Sequence, residues 1–257
     1  LQMGGSPQGA RPKALLYRDS VTSKFTTAPL PGSESWLIKF PARHEHAEVC
    51  AIEAVYAECL RQCGITTPDT AYFNLPGGQA AFATRRFDRD QSIRIPMQSL
   101  AAFTGANYQI PGALDYRDFL RATQICTNDV REKAKAFERV VFNVAFNNRD
   151  DHPKNFAYLM SAAGNWTLAP AYDINPTLNE YQSLLINSYT NKSDLNELLA
   201  SCEEYMLPKQ IALQIIGEVL VAVKDWQILA TQQGIAKNEQ KQFYTIFEHN
   251  LEIYDSK

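Results

Sequence analysis

The chain has 257 residues, 45% of them hydrophobic, and carries a formal net charge of −3. That length suffices for one large domain or for two lobes around a cleft, and the near-neutral balance excludes a broad basic surface for nucleic acid. No uninterrupted apolar run approaches the roughly 18–20 residues that cross a bilayer, so no membrane association is expected.

The chain opens Leu1-Gln2-Met3 without a signal-peptide pattern, and its missing initiator Met leads us to expect absent N-terminal sequence. Gly4 to Pro12, rich in Gly and Pro, reads as a loop. Ala14–Tyr17 and Ser35–Phe40 read as strands, the second closed by Pro41. From Glu45 to Cys63 apolar residues recur at helical spacing, as Val49, Ile52, Val55, Tyr56 and Leu60, and Gly64 is a good stop. The five cysteines, among them Cys59 and Cys63 on this helix, fit no disulfide or zinc spacing. They read as reduced thiols of a cytoplasmic protein. Thr70–Leu75 and Gln79–Phe87 bracket Pro76-Gly77-Gly78, a hairpin signal.

The polar, turn-rich Arg89–Ser99 stretch marks a boundary between 1–93 and 94–257. Beyond it, Tyr116–Ile125 and Val130–Phe146 read as helices, and Asn147–Lys154 as a polar loop. Phe156–Met160 and Trp166–Ala169 read as short strands around Ala163-Gly164-Asn165; Ile211–Leu229 and Glu239–Tyr254 read as helices. The expected fold is therefore α+β: a small α/β N-terminal lobe and a larger, mostly helical C-terminal lobe.

The most informative stretch is Asn147-Asn148-Arg149-Asp150-Asp151-His152-Pro153-Lys154-Asn155, followed after the short strands by Ala171-Tyr172-Asp173. Phosphoryl transfer needs positioning, charge stabilisation and hard oxygen ligands for magnesium more than covalent partners. Asp150 is placed to orient or deprotonate a substrate hydroxyl. Asn155, five residues on, and Asp173 are placed to bind Mg2+, matching the D-x-x-x-x-N loop and separate metal Asp of protein kinases. Lys154 is a point charge for the transferred group. Taken alone, the loop also reads as a solvated turn capped by Asp or Asn. Lys39, flanked by Ile38 and Phe40, needs an anion if buried; nucleotide phosphates and a helix carboxylate such as Glu53 fit that need. A solvated helix face is the plainer reading of Glu53 by itself. Gly-rich backbone ahead of the first strand suits phosphate oxygens, although no Walker A lysine follows. Backbone at Arg85-Arg86-Phe87-Asp88-Arg89 suits an adenine edge, and otherwise reads as a charged strand end. The four features fall in kinase order.

Gly9-Ala10-Arg11-Pro12-Lys13, Arg86-Phe87-Asp88-Arg89, the Asn147–Asn155 loop and Leu168-Ala169-Pro170-Ala171-Tyr172-Asp173 resemble the HipA family, and similarity runs from about Gly4 to about Gly234. These are the serine/threonine kinase toxins of bacterial toxin–antitoxin pairs. The resemblance implies a two-lobed protein-kinase-like fold and ATP with Mg2+ as cofactors. By position it makes Asp150 the catalytic base and Asn155 and Asp173 the metal ligands. The nucleotide would meet Gly9, Ala10, Lys13, Lys39, Arg85, Phe87, His152, Lys154, Asn155 and Tyr172. Ser6 falls where the family carries its regulatory autophosphorylated serine; Pro7 and Pro12 stiffen that loop and set this chain apart. Longer members carry an N-terminal subdomain ahead of the loop that is not in this sequence. The implied partners are a protein substrate, with an aminoacyl-tRNA synthetase as the family precedent, and a helix-turn-helix antitoxin through which any DNA contact would be indirect. Two other functions compete: a small-molecule phosphotransferase with similar carboxylates, and a kinase-like module that only binds a DNA-binding partner.

Overall fold

The computed structural model describes residues 11–43, 45, 48–90, 93–177, 183–186 and 195–255. Ser6, Gly9 and Ala10 therefore lie outside the described residues. The N-terminal part is an antiparallel sheet of β1 (Lys13–Arg18), β2 (Phe25–Thr26), β3 (Glu34–Lys39), β4 (Thr70–Leu75) and β5 (Gln79–Arg85), ordered β2-β1-β3-β5-β4. Gly77 and Gly78 make the β4–β5 turn with φ of 76° and 71°, a region that side chains rarely adopt. Strand β5 ends at Arg85, short of the expected Phe87. The cause lies in the next residues: Arg86 and Arg89 both grip the Asp88 carboxylate, and that cluster turns the chain.

Helix α1 (Val49–Gln62) follows β3. It starts later than the expected Glu45, whose carboxylate instead accepts the Ala42 N–H at 2.9 Å and closes a turn. Gly64, at φ 71°, ends it as expected. One face of α1 packs on β5 through Cys50, Ala57 and Phe82. The other, with Ile52, Val55, Tyr56 and Leu60, joins the main core beyond. The core therefore runs straight across the boundary expected near residue 93.

Short strands β6 (Arg89–Asp90) and β7 (Ile93–Arg94) pair with each other. Strand β8 (Met97–Ser99) pairs with β9 (Ala157–Met160), which pairs in turn with β10 (Trp166–Leu168). Helix α2 (Leu100–Thr104) is capped by Ser99. Helix α3 (Tyr116–Thr127) begins in a capping box of Asp115 and Asp118, and α4 (Val130–Ala145) begins at Asp129. Helices α5 (Leu195–Ala200), α6 (Lys209–Gln232) and α7 (Lys237–Asp255) complete the chain. Trp226 of α6 and Phe247 of α7 are fully buried against α4 and α1, each large side chain contributing about 1.5–3 kcal/mol. Among the described residues no helix is long and apolar enough to cross a membrane. All five cysteines are unpaired.

Candidate active site

The site lies where β3, α1 and the turns on either side of β9–β10 converge. Lys39, at the end of β3, is 4% exposed. Its amine pairs with Glu53 of α1 and, at 2.7 Å, with Asp173. Burial works against the lysine's charge, but the two carboxylates outweigh it and hold its pKa above the ordinary range. Asp173 has φ 57°, a left-handed backbone that Asp tolerates better than most residues. Burial opposes its charge too, yet Lys39, with Lys13 and Arg11 beyond, keeps its carboxyl below the ordinary value. Lys13 lies opposite Lys39 in the β1–β3 register. Arg11 reaches past it to bond Glu53 at 2.9 Å and Glu45 at 2.6 Å.

Helix α1 ties this ion cluster to the Asn147–Asn155 loop. Three residues after Glu53, the buried Tyr56 hydroxyl donates to the Phe146 carbonyl at 2.6 Å. Phe146 immediately precedes the loop that carries Asp150. The loop is also stapled from its far side by Thr177. The Thr177 hydroxyl accepts the N–H groups of Arg149 and Asp150 at 3.1 and 3.2 Å. Asn147 Nδ2 donates to the Thr177 carbonyl at 2.6 Å. Beneath it, fully buried Asp151 accepts the Tyr116 hydroxyl and the Ser183 N–H. Burial pushes the Asp151 carboxyl up to about 7, against the pull of those hydrogen bonds.

The Asp150 side chain is 60% exposed, with His152 Nε2 at 3.9 Å. Partial burial raises its pKa; His152 pulls the other way, and Asp173 adds to the rise. Asn155 donates from Nδ2 to the Asp150 carbonyl at 2.8 Å. Its amide oxygen is a hard donor of the kind that Mg2+ takes. Among the described residues no group of three or more His, Cys, Asp or Glu forms a metal cage. One carboxylate and one amide suit Mg2+, which is commonly held by one or two carboxylates together with waters and substrate phosphates.

Beside this cluster opens a cleft of about 290 Å³, near the lower end of small-ligand pockets. Leu15 and Leu37, directly opposite each other on β1 and β3, line it with Met97, Phe87 and Tyr172. Lys39 and Asp173 also line it. The rings of Phe87 and Tyr172 are 5.3 Å apart. The Tyr172 hydroxyl donates to the Lys154 carbonyl at 2.6 Å, joining the cleft to the Asn147–Asn155 loop.

Of the residues expected from sequence, Lys13, Lys39, Arg85, Phe87, Tyr172 and Asp173 border one cleft, and Asp150, His152, Lys154 and Asn155 lie on the loop beside it. The Arg85 guanidinium pairs with Glu34 and Asp69, and its N–H bonds the Asp69 carbonyl at 2.8 Å. The Arg86 N–H is likewise committed to Ser35. The residues missed were Arg11, Tyr56, Asp151 and Thr177, and Tyr108 beside Lys154. Their partners lie 27 to 90 positions away along the chain, beyond the reach of any local pattern, except that Tyr116–Asp151 and Arg11–Glu53 each involve a motif residue or its neighbour.

Solved structures share this fold. HipA of Shewanella oneidensis, solved with HipB and operator DNA, superposes with a TM-score of 0.74 at 16% identity, over 96% of this chain and 64% of that one. The Helicobacter pylori proinflammatory kinase CtkA gives a TM-score of 0.60 at 13% identity, over 84% of this chain and 86% of that one. The fold is kinase-like. The chain matches the HipA-like C-terminal domain over residues 5–227 and belongs to that family. A Haemophilus influenzae protein provisionally named a kinase is 25% identical over 215 residues, covering 72% of this chain. Y4dM of Sinorhizobium fredii, also provisionally named a kinase, is 26% identical over 202 residues, covering 66% of this chain. The chain spans 57% and 47% of the lengths of these two relatives.

Proposed function

We propose that this chain is the catalytic part of an ATP- and Mg2+-dependent serine/threonine protein kinase of the HipA toxin type. The observation that carries the reading is the placement of Lys39. It is buried, shared between Glu53 and Asp173, and set at the edge of an apolar cleft beside the Asp150–Asn155 loop. In this reading residues 1–93 cover the nucleotide and residues 94–257 carry the chemistry.

The adenine enters between the Leu15–Leu37 pair and Met97. With the Arg85 and Arg86 N–H groups committed, the edge of the base is left to the Phe87 N–H and the Arg85 carbonyl. Lys39 turns from Asp173 toward the α/β-phosphates, and Glu53 keeps it aimed. Asp173 and Asn155 would hold Mg2+, which would supply positive charge to the phosphates. Asp150 orients the acceptor hydroxyl and takes its proton as the oxygen bonds to the γ-phosphorus and the bond to ADP breaks. Lys154 meets the charge on the transferred group. The acceptor is a serine or threonine of a cellular protein, with an aminoacyl-tRNA synthetase as the family precedent, and Ser6 is the site of self-modification. A DNA-binding antitoxin partner, by analogy with the HipA–HipB–operator assembly, and action in the cytoplasm belong to the same proposal.

The test is transfer from γ-labelled ATP in the presence of Mg2+. Label on protein that disappears in both Asp150→Ala and Asp173→Ala is the expected result. Turnover unchanged in both variants refutes the reading, and label confined to a small acceptor identifies a small-molecule phosphotransferase instead.

A further inference from the structure

Tyr108 belongs to none of the motifs above, yet it faces the catalytic loop. The Lys154 amine sits 3.6 Å from the centroid of its ring. The His152 ring lies 5.6 Å away, edge-on. The loop that carries Tyr108, between α2 and α3, is itself fastened. Asn107 bonds the N–H of Gln109 at 3.1 Å through its side chain and that of Ile110 at 3.1 Å through its carbonyl. Gly112 donates to Ser183 at 2.8 Å, and Leu185 donates to Leu114 at 3.0 Å. Lys154 is therefore gripped at both ends, its carbonyl by Tyr172 and its amine by Tyr108.

The choice of partner has a chemical consequence. A lysine left free samples many rotamers, and fixing it costs about 2 kcal/mol. A carboxylate would fix it, but would also cancel its charge and compete with a phosphate for it. Among the described residues no carboxylate pairs with Lys154. An aromatic face attracts the ammonium through its quadrupole while leaving the full positive charge available.

Resting on the kinase reading above, we propose that Tyr108 is a positioning residue for phosphoryl transfer: its ring holds the Lys154 ammonium in one place, ready for the transferred group and not neutralised. The hydroxyl of Tyr108 has no part in this, so phenylalanine serves equally well.

Steady-state kinetics on Tyr108→Leu, Tyr108→Phe, Lys154→Ala and the Tyr108→Leu/Lys154→Ala double variant test the proposal, with melting curves alongside. Tyr108→Leu is expected to lose about ten-fold in kcat, equivalent to about 1.4 kcal/mol, with KM for ATP and the melting temperature unchanged. Tyr108→Phe keeps parental kcat, and the double variant is no slower than Lys154→Ala. As a second readout, the ε-protons of 13C-labelled Lys154 resonate upfield in the parent and in Tyr108→Phe, and lose that shift in Tyr108→Leu. Parental kcat in Tyr108→Leu alongside a slow Lys154→Ala overturns the proposal while leaving the kinase reading intact. Losses that multiply in the double variant also overturn it. Parental kcat in Lys154→Ala removes the role given to Lys154, and the proposal with it. A parent chain that transfers no phosphate overturns both together.

Discussion

Replacing Lys39 with methionine removes the cation from the centre of the site while keeping most of its aliphatic bulk against Phe82, whose ring lies 5.9 Å from the amine. Glu53 is left 3% exposed, with Arg11 at 2.9 Å as its remaining partner. Breaking a buried ion pair by removing one member costs about 3–5 kcal/mol, because the other charge stays buried. Arg11 persists on Glu53, and the Asp173 side chain is 39% exposed to water, so the loss falls at the low end, about 3 kcal/mol. In a chain of this size each kcal/mol moves the melting temperature by about 2–4 °C, so Lys39→Met is expected to melt roughly 6–12 °C below the parent. The double variant Lys39→Met/Glu53→Gln removes the stranded charge and is expected to recover most of that loss. Scanning calorimetry near neutral pH, with the three proteins side by side, measures both steps. A single variant within about 2 °C of the parent, or a double variant no more stable than the single, refutes the reasoning that a buried charge is being compensated here.

Three other expectations follow from the Asn147–Asn155 loop and its supports. Asp151 is raised from the ordinary carboxyl range to about 7, so its ionisation is disfavoured in the folded state. Its penalty is absent below the unfolded value, grows as pH rises from about 4 and is complete above about 7. Asp151→Asn, which still offers an oxygen to Ser183, is therefore expected to gain stability relative to the parent between about pH 4 and pH 7; equal melting curves across that range contradict this. Thr177→Val strips the acceptor from the Arg149 and Asp150 N–H groups, and on the kinase proposal is expected to lower kcat about ten-fold and stability by about 1–3 kcal/mol, with Thr177→Ser restoring both. Tyr56→Phe frees the Phe146 carbonyl from its hydroxyl partner and is expected to cost about 1–3 kcal/mol, read as a lower urea midpoint at unchanged slope.

Much of the candidate site was legible because the chemistry proposed for it depends on residue type at fixed short spacing. Asp150 and Asn155 occupy one loop, and Asp173 follows a turn marked by Gly164. Lys39 stood out as a lysine between apolar neighbours on a strand. Glu53 was nameable as its partner only because the intervening helix was clear, and without the kinase order a solvated face was the better reading. The helices α3, α4, α6 and α7 showed in their apolar spacing to within a few residues. What escaped is what the fold brings together from afar. Thr177 meets residues 27 and 28 positions earlier, and nothing around it in sequence marks it as different from a turn threonine. Strand β8 has three residues and draws its register entirely from β9. Tyr108 sits in a loop of turn-forming residues, and its role depends on a lysine that a different segment supplies. The strand expected to reach Phe87 stopped at Arg85 because the charges of Arg86, Asp88 and Arg89 satisfy one another locally. The boundary expected near residue 93 rested on a change of composition, and nothing in that composition showed that the core continues through α1.

The decisive experiment is intact mass spectrometry of the chain before and after incubation with ATP and Mg2+, run in parallel on the parent and on Asp150→Ala, with ADP measured in the same samples. A kinase built around Asp150 gains phosphate and releases ADP in the parent alone. Equal phosphate gain in both proteins, or neither phosphate gain nor ADP release in a parent that begins unphosphorylated, contradicts it.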